Sequence, residues 1–583
     1  MTVARTPAAQ RTGKTRPVGR RADAIGAMLT RAWSLPPRRC KVVIDPQLAV
    51  PMADGTVLLA DHYIPVTGQP AVTVLVRCPY GRGAPFSMTM AQLIAERGYH
   101  VLMQSCRGTF GSGGDFEPMR NEIPDGRDTV AWLRQQSWFD GRLATYGGSY
   151  LGFTQWALAM DPPPELMAAV VQVGPHDMSR AVYRDGVFDL YNYVQWAELI
   201  AVQERVGFLR GIYRSATADR RLVPVLNRMP FTASVRALLG TGAPWFEAWP
   251  EHPQLADPFW EPLQCGAALQ RINVPTLLVG GWHDLFLQQS IEQYRVLHAR
   301  GVPTRLLIGP WAHLDAARSG LVTKESLEWL DRCSGTEPLT SSVRVYVGGA
   351  SEWRDLPDWP SPGPGQQRWL LGPGGVLGTH EPQAGNQPPQ DGTQDAEFRY
   401  DPADPTPTVG GATMVPAAGT RDNKAVERRA DVLVFTSAPL DQAVEFIGDV
   451  SVELSVTRDN QNADLFVRLC DVDPRGTSRN VGDGIIRLND APLAGQVRIS
   501  VSGVAHRFQR GHRIRLQVAG GAHPRFARNP GNGQLDASPD GFVPTSFRVS
   551  TAGDSALVLA ALSAQPDGEA LQAVDEGTGP PAQ

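Results

Sequence analysis

The sequence predicts an α/β domain built on a parallel sheet, with a helical insertion, followed by an all-β domain. Three observations support this prediction. Short continuous apolar runs alternate with helical patterns, a long aromatic-rich helical stretch interrupts them, and alternating apolar segments with turns replace them after about residue 340. Strand–helix alternation is typical of a parallel sheet covered by helices. Alternating apolar residues without a helical period are typical of a β-sandwich.

Length and composition are those of a globular protein with more than one domain. The chain has 583 residues, 42% of them hydrophobic and 20% charged, and a net charge of −4. This balance indicates no nucleic-acid partner, and no apolar run approaches the roughly 18 residues of a membrane span. The six scattered cysteines indicate reduced thiols in a cytoplasmic protein. We expect no metal and no cofactor, and we leave open whether the chain forms a homo-oligomer.

Residues 1–41 differ from the rest of the chain in charge. They carry ten Lys and Arg residues against Asp23 alone, so their net charge is +9 and that of the remainder is −13. The pair Arg20-Arg21 could belong to a twin-arginine export signal, but neither an apolar core nor a cleavage site follows it. We therefore predict a disordered basic arm that ends in a short amphipathic helix. Attachment to an anionic membrane surface is the alternative.

Residues 42–174 and 268–340 are assigned to the α/β domain. Alternating residues around the turn Asp54-Gly55 predict a hairpin of Val42–Val50 with Thr56–Ile64. Continuous apolar runs predict strands buried on both faces, at Val72–Val76, His100–Gln104, Leu143–Tyr146, Ala168–Val173, Thr276–Val279 and Arg305–Ile308. Helical patterns lie between several of them, at Met88–Arg97, Asp125–Gln136, Tyr150–Met160 and Gln288–Arg300.

The remaining segments complete the predicted domain organisation. Residues 175–267 are helical and rich in aromatic residues, without a convincing strand, so we predict a helical cap inserted between two strands of the sheet. Residues 341–564 contain turn-rich sequence and several alternating segments, which predict a β-sandwich. Residues 565–583, with four acidic and no basic residues, are predicted to form a flexible tail.

Ser149 is the candidate nucleophile. An apolar strand leads directly into Gly147-Gly148-Ser149, and a helical pattern begins immediately afterwards. A nucleophile elbow requires this strand–turn–helix context, with small neighbours around the serine. The match to Gly-x-Ser-x-Gly is imperfect because the last glycine falls one place late, at Gly152. Taken alone, the motif is weak evidence.

Asp284 and His313 strengthen the assignment of Ser149. The α/β-hydrolase fold places the acid and then the histidine after later strands, in the order Ser, acid, His. The predicted strand Thr276–Val279 leads to Asp284, and Arg305–Ile308 leads to His313. Both residues should therefore lie at the same edge of the sheet as Ser149. His283 precedes the last strand, and we interpret it as a polar neighbour.

This arrangement predicts acyl transfer to a serine. His313 would accept the Ser149 proton and Asp284 would orient the imidazole. The developing oxyanion needs hydrogen-bond donors, and the backbone N–H of Tyr150 is one candidate. The second candidate is the Tyr80 phenol, because its ordinary pKa near 10 keeps it protonated at neutral pH. The alternative for Tyr80 is an aromatic residue that packs at a strand end.

Several strings resemble the bacterial cocaine-esterase-like hydrolases, which are related to the Xaa-Pro dipeptidyl-peptidases. The resemblance extends over about Val42 to Leu562. The strings with the candidate site residues are Cys78-Pro79-Tyr80, Gly147-Gly148-Ser149-Tyr150-Leu151-Gly152, Gly281-Trp282-His283-Asp284 and Gly309-Pro310-Trp311-Ala312-His313. Further matching strings are Trp138-Phe139-Asp140-Gly141, Tyr400-Asp401-Pro402-Ala403-Asp404-Pro405 and Gly511-His512-Arg513-Ile514-Arg515.

The resemblance implies an α/β-hydrolase domain with an inserted helical cap and a C-terminal jelly-roll that helps to enclose the pocket. It implies that Tyr80 completes the oxyanion hole. It also implies that Phe286 and Trp196 line the substrate pocket, with the match for Trp196 less secure.

Two positions depart from related proteins. Family members usually have Asp two places before the arginine of the Arg-Gly motif, whereas Ser105 precedes Arg107 here, so that ion pair is lost or rerouted. The related α-amino-acid ester hydrolases have carboxylates where this chain has Phe286 and Leu287. Their absence argues against a substrate with a free α-amine, although the cap acids Asp185, Asp189 and Glu198 could substitute.

The sequence therefore predicts a serine esterase that acts on small aromatic or apolar acyl esters. An exopeptidase or amidase of the Xaa-Pro type is the first alternative, and it would need a carboxylate in the pocket for the substrate amine. A non-catalytic binding protein on a hydrolase scaffold is the second alternative.

Overall fold

The computed structural model describes most of the chain, in five ranges: 15–206, 208–360, 365–379, 395–414 and 417–561. The predicted tail, residues 565–583, and the first 14 residues of the predicted arm lie outside these ranges. Two large sheets organise the described residues. One belongs to the α/β domain and the other to the C-terminal all-β domain.

The strands are numbered along the chain as follows: β1 (Arg16–Pro17), β2 (Val42–Pro51), β3 (Val57–Pro65), β4 (Thr73–Cys78), β5 (His100–Ser105), β6 (Leu143–Gly148), β7 (Leu166–Gln172), β8 (Tyr183–Arg184), β9 (Val187–Phe188), β10 (Thr276–His283), β11 (Thr304–Ala312), β12 (Ser342–Val347), β13 (Glu352–Leu356), β14 (Gly365–Gly372), β15 (Val376–Gly378), β16 (Asp395–Tyr400), β17 (Val432–Thr436), β18 (Val444–Arg458), β19 (Asp464–Val472), β20 (Ser478–Arg487), β21 (Ala494–Phe508), β22 (Arg513–Ala519), β23 (Thr545–Ser550) and β24 (Ala556–Ala561).

The α-helices are numbered in the same way: α1 (Arg20–Ala32), α2 (Leu93–Ala95), α3 (Glu122–Leu133), α4 (Tyr150–Leu158), α5 (Met178–Val182), α6 (Leu190–Val202), α7 (Phe208–Ala216), α8 (Ala218–Leu226), α9 (Phe231–Leu239), α10 (Ala248–Glu251), α11 (Ala268–Arg271), α12 (Leu287–Ala299), α13 (His313–Ala316) and α14 (Gly320–Ser334).

The first sheet has the strand order β1-β2-β3-β5-β4-β6-β7-β10-β11-β12-β13. Neighbouring strands from β5 through β12 run parallel, and the outer strands on each side are antiparallel. Every residue of β4 and β5 is buried, as expected for strands covered by helices on both faces. The predicted α/β fold is thus confirmed, including the hairpin of β2 with β3.

The predicted boundary at residue 341 is too early for this sheet. Strand β12 pairs in parallel with β11, and β13 pairs with β12. The predicted boundary rests on the turn-rich sequence that begins after about residue 340, and no strand was predicted at β12, whose residues alternate between buried and partly exposed positions. That alternation arises because β12 lies near the edge of the sheet, where one face is incompletely covered.

The predicted amphipathic helix corresponds to α1, whereas the prediction that the arm is disordered is wrong for residues 15–41. β1 pairs with β2, and α1 packs on the segment that carries α2. A Cβ at Gly26 would lie only 2.8 Å from the Glu96 carboxylate, so the small residue permits this close approach. The Arg97 guanidinium donates to Thr30 Oγ1 at 2.9 Å and so ties α1 to the domain.

Residues 175–267 separate β7 from β10, and we call this segment the cap. It contains α5 to α10 and, as a difference from the prediction, the short antiparallel pair β8–β9. Its helices pack around a cluster of aromatic rings, in which Trp249 contacts Trp245 and Trp196 at ring-centroid distances of 4.9 and 6.0 Å.

Strands β14 to β24 form the second sheet, whose pairings are antiparallel except for the contact of β15 with β17. Its apolar core is separate from that of the α/β domain. The all-β domain also contacts the cap, where Arg184 donates to Ser502 Oγ at 2.7 Å. The α/β domain, the cap and the all-β domain can therefore each contribute residues to the site around Ser149.

The helices of the described residues were compared with the length and apolar character that a membrane span requires. None of them meets both requirements. All six cysteines fall within the described ranges, and none of them forms a disulfide.

Candidate active site

Ser149 lies at the sharp turn between β6 and α4. Its φ of 60° and ψ of −122° place it in a region that residues with a Cβ rarely adopt. The turn is held by a hydrogen bond from the Ser149 N–H to the Gln172 carbonyl at 2.8 Å. A Cβ at Gly147 would lie 2.4 Å from Leu151 Cβ. This glycine is therefore required for α4 to begin immediately after the serine.

Gly152 explains why the last glycine of the motif comes one place late. A Cβ on this residue would lie 2.6 Å from the Cα of Gly174, which follows β7. The first turn of α4 thus packs directly against the neighbouring strand at this position. The sequence departs from the usual spacing, but the close helix–strand contact is retained.

Ser149, His313 and Asp284 form a continuous chain of hydrogen bonds. Ser149 Oγ lies 2.9 Å from His313 Nε2, and His313 Nδ1 lies 2.6 Å from Asp284 Oδ1. The second carboxylate oxygen accepts the backbone N–H of Phe286 at 3.0 Å. Asp284 directly follows β10, and His313 begins α13 directly after β11. These two strands are parallel neighbours, which brings both side chains to one edge of the sheet.

Tyr80 follows β4 and directs its hydroxyl toward Ser149. The Trp196 indole N–H donates to this hydroxyl at 3.1 Å. Burial raises the pKa of the Tyr80 phenol, although the hydrogen bonds with Trp196 and Ser149 act in the opposite direction. The phenol therefore remains a neutral hydrogen-bond donor at physiological pH.

Tyr150 is held in place by a buried ion pair. Its hydroxyl donates to Glu122 Oε1 at 2.6 Å and accepts the Met119 N–H at 3.0 Å. The other Glu122 oxygen lies 2.9 Å from the Arg77 guanidinium, which is three residues before Tyr80. As Tyr150 is the first residue of α4, its backbone N–H has no acceptor within the helix. It is available to a ligand beside Ser149.

A small pocket adjoins Ser149. Its free volume is about 30 Å³. Besides Ser149 and His313, its walls are formed by Tyr80, Met119, Tyr150, Pro175, Met178, Asn192, Tyr193, Trp196, Leu285, Phe286 and Met414. Phe286 contacts the His313 ring edge to face, with the centroids 5.3 Å apart. The structure thus brings Phe286 and Trp196 to the pocket.

Sequence reasoning missed several wall residues, above all Asn192, Tyr193 and Met414. The two cap residues belong to a helix that is rich in aromatic residues, and this pattern could have indicated a pocket wall. Met414 belongs to the all-β domain and has no local signal. Its N–H donates to Asn192 Oδ1 at 3.0 Å, which fixes it against the cap.

The cap acids considered as amine ligands do not line this pocket. Glu198 is paired with Arg214 and Arg221. Asp189 accepts both of its short hydrogen bonds, at 2.9 and 3.0 Å, from the Asn192 amide. Burial raises the pKa of Asp189 to about 6. None of the described pocket walls carries a carboxylate.

The arginine that lacks its usual aspartate is rerouted rather than unpaired. Arg107 forms ion pairs with Asp125 at 2.6 Å and with Asp54 at 2.7 Å. Ser105 is contacted by a different arginine, Arg82. The substitution at position 105 therefore changes the partner of Arg107 without leaving it uncompensated.

His283 points away from the Ser149 pocket. Its Nε2 lies 3.0 Å from Thr420 Oγ1 of the all-β domain, and burial lowers the pKa of its imidazole to about 4. Within the described ranges, no cluster of three or more His, Cys, Asp and Glu side chains has the arrangement of a metal site.

Comparison with known proteins agrees with this architecture. Residues 54–315 match the X-Pro dipeptidyl-peptidase (S15) family, and residues 337–559 match the X-Pro dipeptidyl-peptidase C-terminal non-catalytic domain. The chain is 29% identical over 532 residues to the cocaine esterase of Rhodococcus sp. (strain MB1 Bresler). That alignment covers 84% of this chain and 92% of the esterase.

Two solved structures share the fold over most of their length. An aminopeptidase of the marine sediment archaeon Thaumarchaeota archaeon has a TM-score of 0.72 at 23% identity, covering 88% of this chain and 94% of the aminopeptidase. An α-amino acid ester hydrolase has a TM-score of 0.72 at 21% identity, covering 88% of this chain and 95% of that protein. Together, the two family matches and the cocaine esterase relative show that the chain is a serine esterase or hydrolase of the cocaine-esterase-like family, which is related to the Xaa-Pro dipeptidyl-peptidases.

Proposed function

We propose that the chain cleaves small carboxylic esters through an acyl-enzyme formed on Ser149, with His313 and Asp284 completing a catalytic triad. The observation that carries this proposal is the hydrogen-bonded chain of the three side chains, with distances of 2.9 and 2.6 Å. A serine hydroxyl is a weak nucleophile unless a base within hydrogen-bond reach accepts its proton. His313 occupies that position.

The proposed reaction has two halves. Ser149 Oγ attacks the acyl carbon while His313 Nε2 accepts its proton, and Asp284 stabilises the resulting imidazolium. The Tyr80 hydroxyl and the Tyr150 N–H donate to the oxyanion. His313 then gives the proton to the departing alcohol, leaving the acyl group on Ser149. In the second half His313 accepts a proton from the water that attacks the acyl carbon, then returns it to Ser149 Oγ as the ester bond to the serine breaks and the carboxylic acid is released.

The pocket favours a small uncharged acyl group. Met178, Leu285, Phe286 and Met414 supply much of its surface. A free volume near 30 Å³ accommodates a short chain more readily than an aromatic ring. An aromatic acyl group would require Met414 or Trp196 to move.

Peptide or amide hydrolysis of the Xaa-Pro type is the second candidate, and the family match over residues 54–315 favours it. Recognition of an N-terminal amine requires a buried negative charge to replace its hydration. The described walls include no acidic residue, and the cap acids Asp189 and Glu198 bond to groups other than a ligand, the Asn192 amide and Arg214. We therefore place ester hydrolysis first.

A test compares the wild type with Ser149→Ala on p-nitrophenyl esters of increasing chain length, the matching amides and an Xaa-Pro anilide. We expect kcat on the short esters to fall by about 10⁵-fold or more in the variant. Ser334→Ala, which alters a hydroxyl bonded to the Leu330 carbonyl, is the matched control and should remain active. Unchanged activity in Ser149→Ala would refute the mechanism. Faster cleavage of the Xaa-Pro anilide than of the esters would reverse the order of the two candidates.

A further inference from the structure

Asn192 and Tyr193 are two polar side chains of the Ser149 pocket that have no place in the proposed reaction. The Asn192 amide is already engaged. Its Nδ2 donates to both Asp189 oxygens and to the Ala412 carbonyl, at 2.9, 3.0 and 3.2 Å, and its Oδ1 accepts the Met414 N–H. Asn192 therefore positions the wall formed by Met414, and both of its N–H donors are engaged.

The Tyr193 hydroxyl is in the opposite situation. Tyr193 is only 5% exposed, and its ring packs edge to face on Trp249 with the centroids 5.3 Å apart. Several side-chain polar atoms of the described residues are buried without a hydrogen-bond partner, the Tyr193 hydroxyl among them, and Tyr193 is the one residue of that group that lines this pocket. Native structures satisfy most such groups. An unpaired hydroxyl beside a nucleophile indicates a group that a ligand completes.

The surroundings of Tyr193 define the kind of ligand group. Burial and the nearby carboxylates of Asp189 and Asp284 raise the pKa of the Tyr193 phenol, so that it remains protonated and able to donate. The same two carboxylates disfavour a negatively charged ligand group beside the Tyr193 phenol. The matching group is therefore a neutral acceptor oxygen, such as that of an ether, a ketone or an alcohol.

The small size of the pocket indicates which half of the ester reaches Tyr193. In an acyl-enzyme reaction the alcohol departs first and needs a route to solvent, whereas the acyl group remains attached to Ser149 until water attacks. A narrow pocket with a free volume near 30 Å³ suits the half that stays. Tyr193 thus faces the acyl chain.

We propose that Tyr193 determines acyl specificity by donating a hydrogen bond to an oxygen atom within the substrate's acyl chain. The preferred substrates are small esters whose acyl group carries a neutral acceptor, rather than purely hydrocarbon chains. This inference rests on the proposed function of Ser149 and refines its substrate class.

The test uses two esters with equally long acyl chains, p-nitrophenyl butyrate and p-nitrophenyl methoxyacetate. In the second, an ether oxygen replaces one methylene group. The quantity measured is the ratio of kcat/KM for methoxyacetate to that for butyrate. The intrinsic reactivity of each ester does not depend on the variant. It therefore cancels when the ratio of one variant is compared with that of another. We expect Tyr193→Phe to lower this ratio about tenfold, as for the loss of one buried hydrogen bond.

The control is Tyr294→Phe. Tyr294 lies on α12, outside the pocket, and its hydroxyl donates to Asp358 at 3.0 Å. Its ratio should equal that of the wild type. Thermal unfolding supplies a second readout. The midpoint of Tyr193→Phe should be unchanged or higher, because the hydroxyl removed has no partner in the free protein, whereas that of Tyr294→Phe should fall.

An unchanged ratio in Tyr193→Phe would overturn the inference, and so would a midpoint that falls as far as that of Tyr294→Phe. Either failure can be told apart from failure of the proposed function. If Tyr193→Phe still hydrolyses the butyrate ester and Ser149→Ala does not, the role of Ser149 stands and only the role of Tyr193 is refuted.

Discussion

The catalytic residues and the pocket walls are built in different ways. Ser149, Asp284 and His313 come from the ends of three strands of one sheet, so the sheet itself sets their distances. The pocket walls come from three parts of the chain. Phe286 belongs to the α/β domain, Tyr193 to the cap and Met414 to the all-β domain.

This difference separates chemistry from specificity. A sheet edge holds the reacting groups rigidly, and its geometry changes little with the packing of other domains. The pocket depends on how the cap and the all-β domain close over Ser149, through contacts such as that of Asn192 with Met414. Changes at the sheet edge should therefore abolish turnover, whereas changes in the walls should alter the choice of substrate.

The largest expected effect is at His313. We expect His313→Gln to lower kcat on short esters by about 10⁵-fold, because the base that activates Ser149 is lost. His283→Gln is the matched control, since His283 lies one residue from Asp284 yet bonds Thr420. The kcat of His283→Gln on short esters should fall by no more than about fivefold, which corresponds to the loss of one ordinary hydrogen bond. Steady-state kinetics of both variants checks this, and comparable losses would contradict the division between the two histidines.

Tyr80→Phe should have the next largest effect. Loss of one oxyanion donor lowers kcat by about 100- to 1000-fold, and KM should change little because the interaction forms in the transition state. Tyr99→Phe is the control. Tyr99 lies at the amino end of β5, and its hydroxyl donates to Asp331 at 2.7 Å. A raised KM with unchanged kcat in Tyr80→Phe would instead assign Tyr80 to ground-state binding.

The pH dependence tests the same donor. Burial raises the pKa of Tyr80, so the neutral donor form persists as the pH rises past its ordinary value near 10. We expect kcat of the wild type to stay level between about pH 8 and pH 10. A decline that is present in the wild type and absent in Tyr80→Phe would show that the phenol loses its proton in this range.

The smallest expected effect is at Met414. Met414→Ala should enlarge the pocket and raise the kcat/KM ratio of p-nitrophenyl hexanoate to butyrate by about tenfold, since each methylene group accommodated contributes to specificity. Turnover of the butyrate itself should persist. Met160→Ala, two residues beyond the end of α4, is the control. An unchanged ratio in Met414→Ala would show that the all-β domain does not limit the acyl chain.

The sequence was sufficient to predict the fold and the residues at the sheet edge. Asp284 and His313 follow continuous apolar runs, and the order of parallel strands places them beside Ser149. It was not sufficient for β12, whose alternating pattern resembles a sandwich strand although it pairs with β11. Near a sheet edge, one incompletely covered face produces the same alternation.

Contacts between distant segments could not be predicted. A short amphipathic helix at the end of the arm was predicted, but its packing was not: Gly26 lets α1 lie close to Glu96. Tyr193 was visible only as one of several aromatic residues in the cap. Its unpaired hydroxyl becomes apparent only when the neighbouring side chains are placed around it.

The central claim is that Ser149 is activated by His313. Labelling with a fluorophosphonate, followed by mass spectrometry of the peptides, tests it most directly. We expect one adduct per chain on Ser149 in the wild type, much slower labelling of His313→Gln and wild-type labelling of His283→Gln. An adduct on another residue, or no adduct in a folded wild-type protein, would contradict the account.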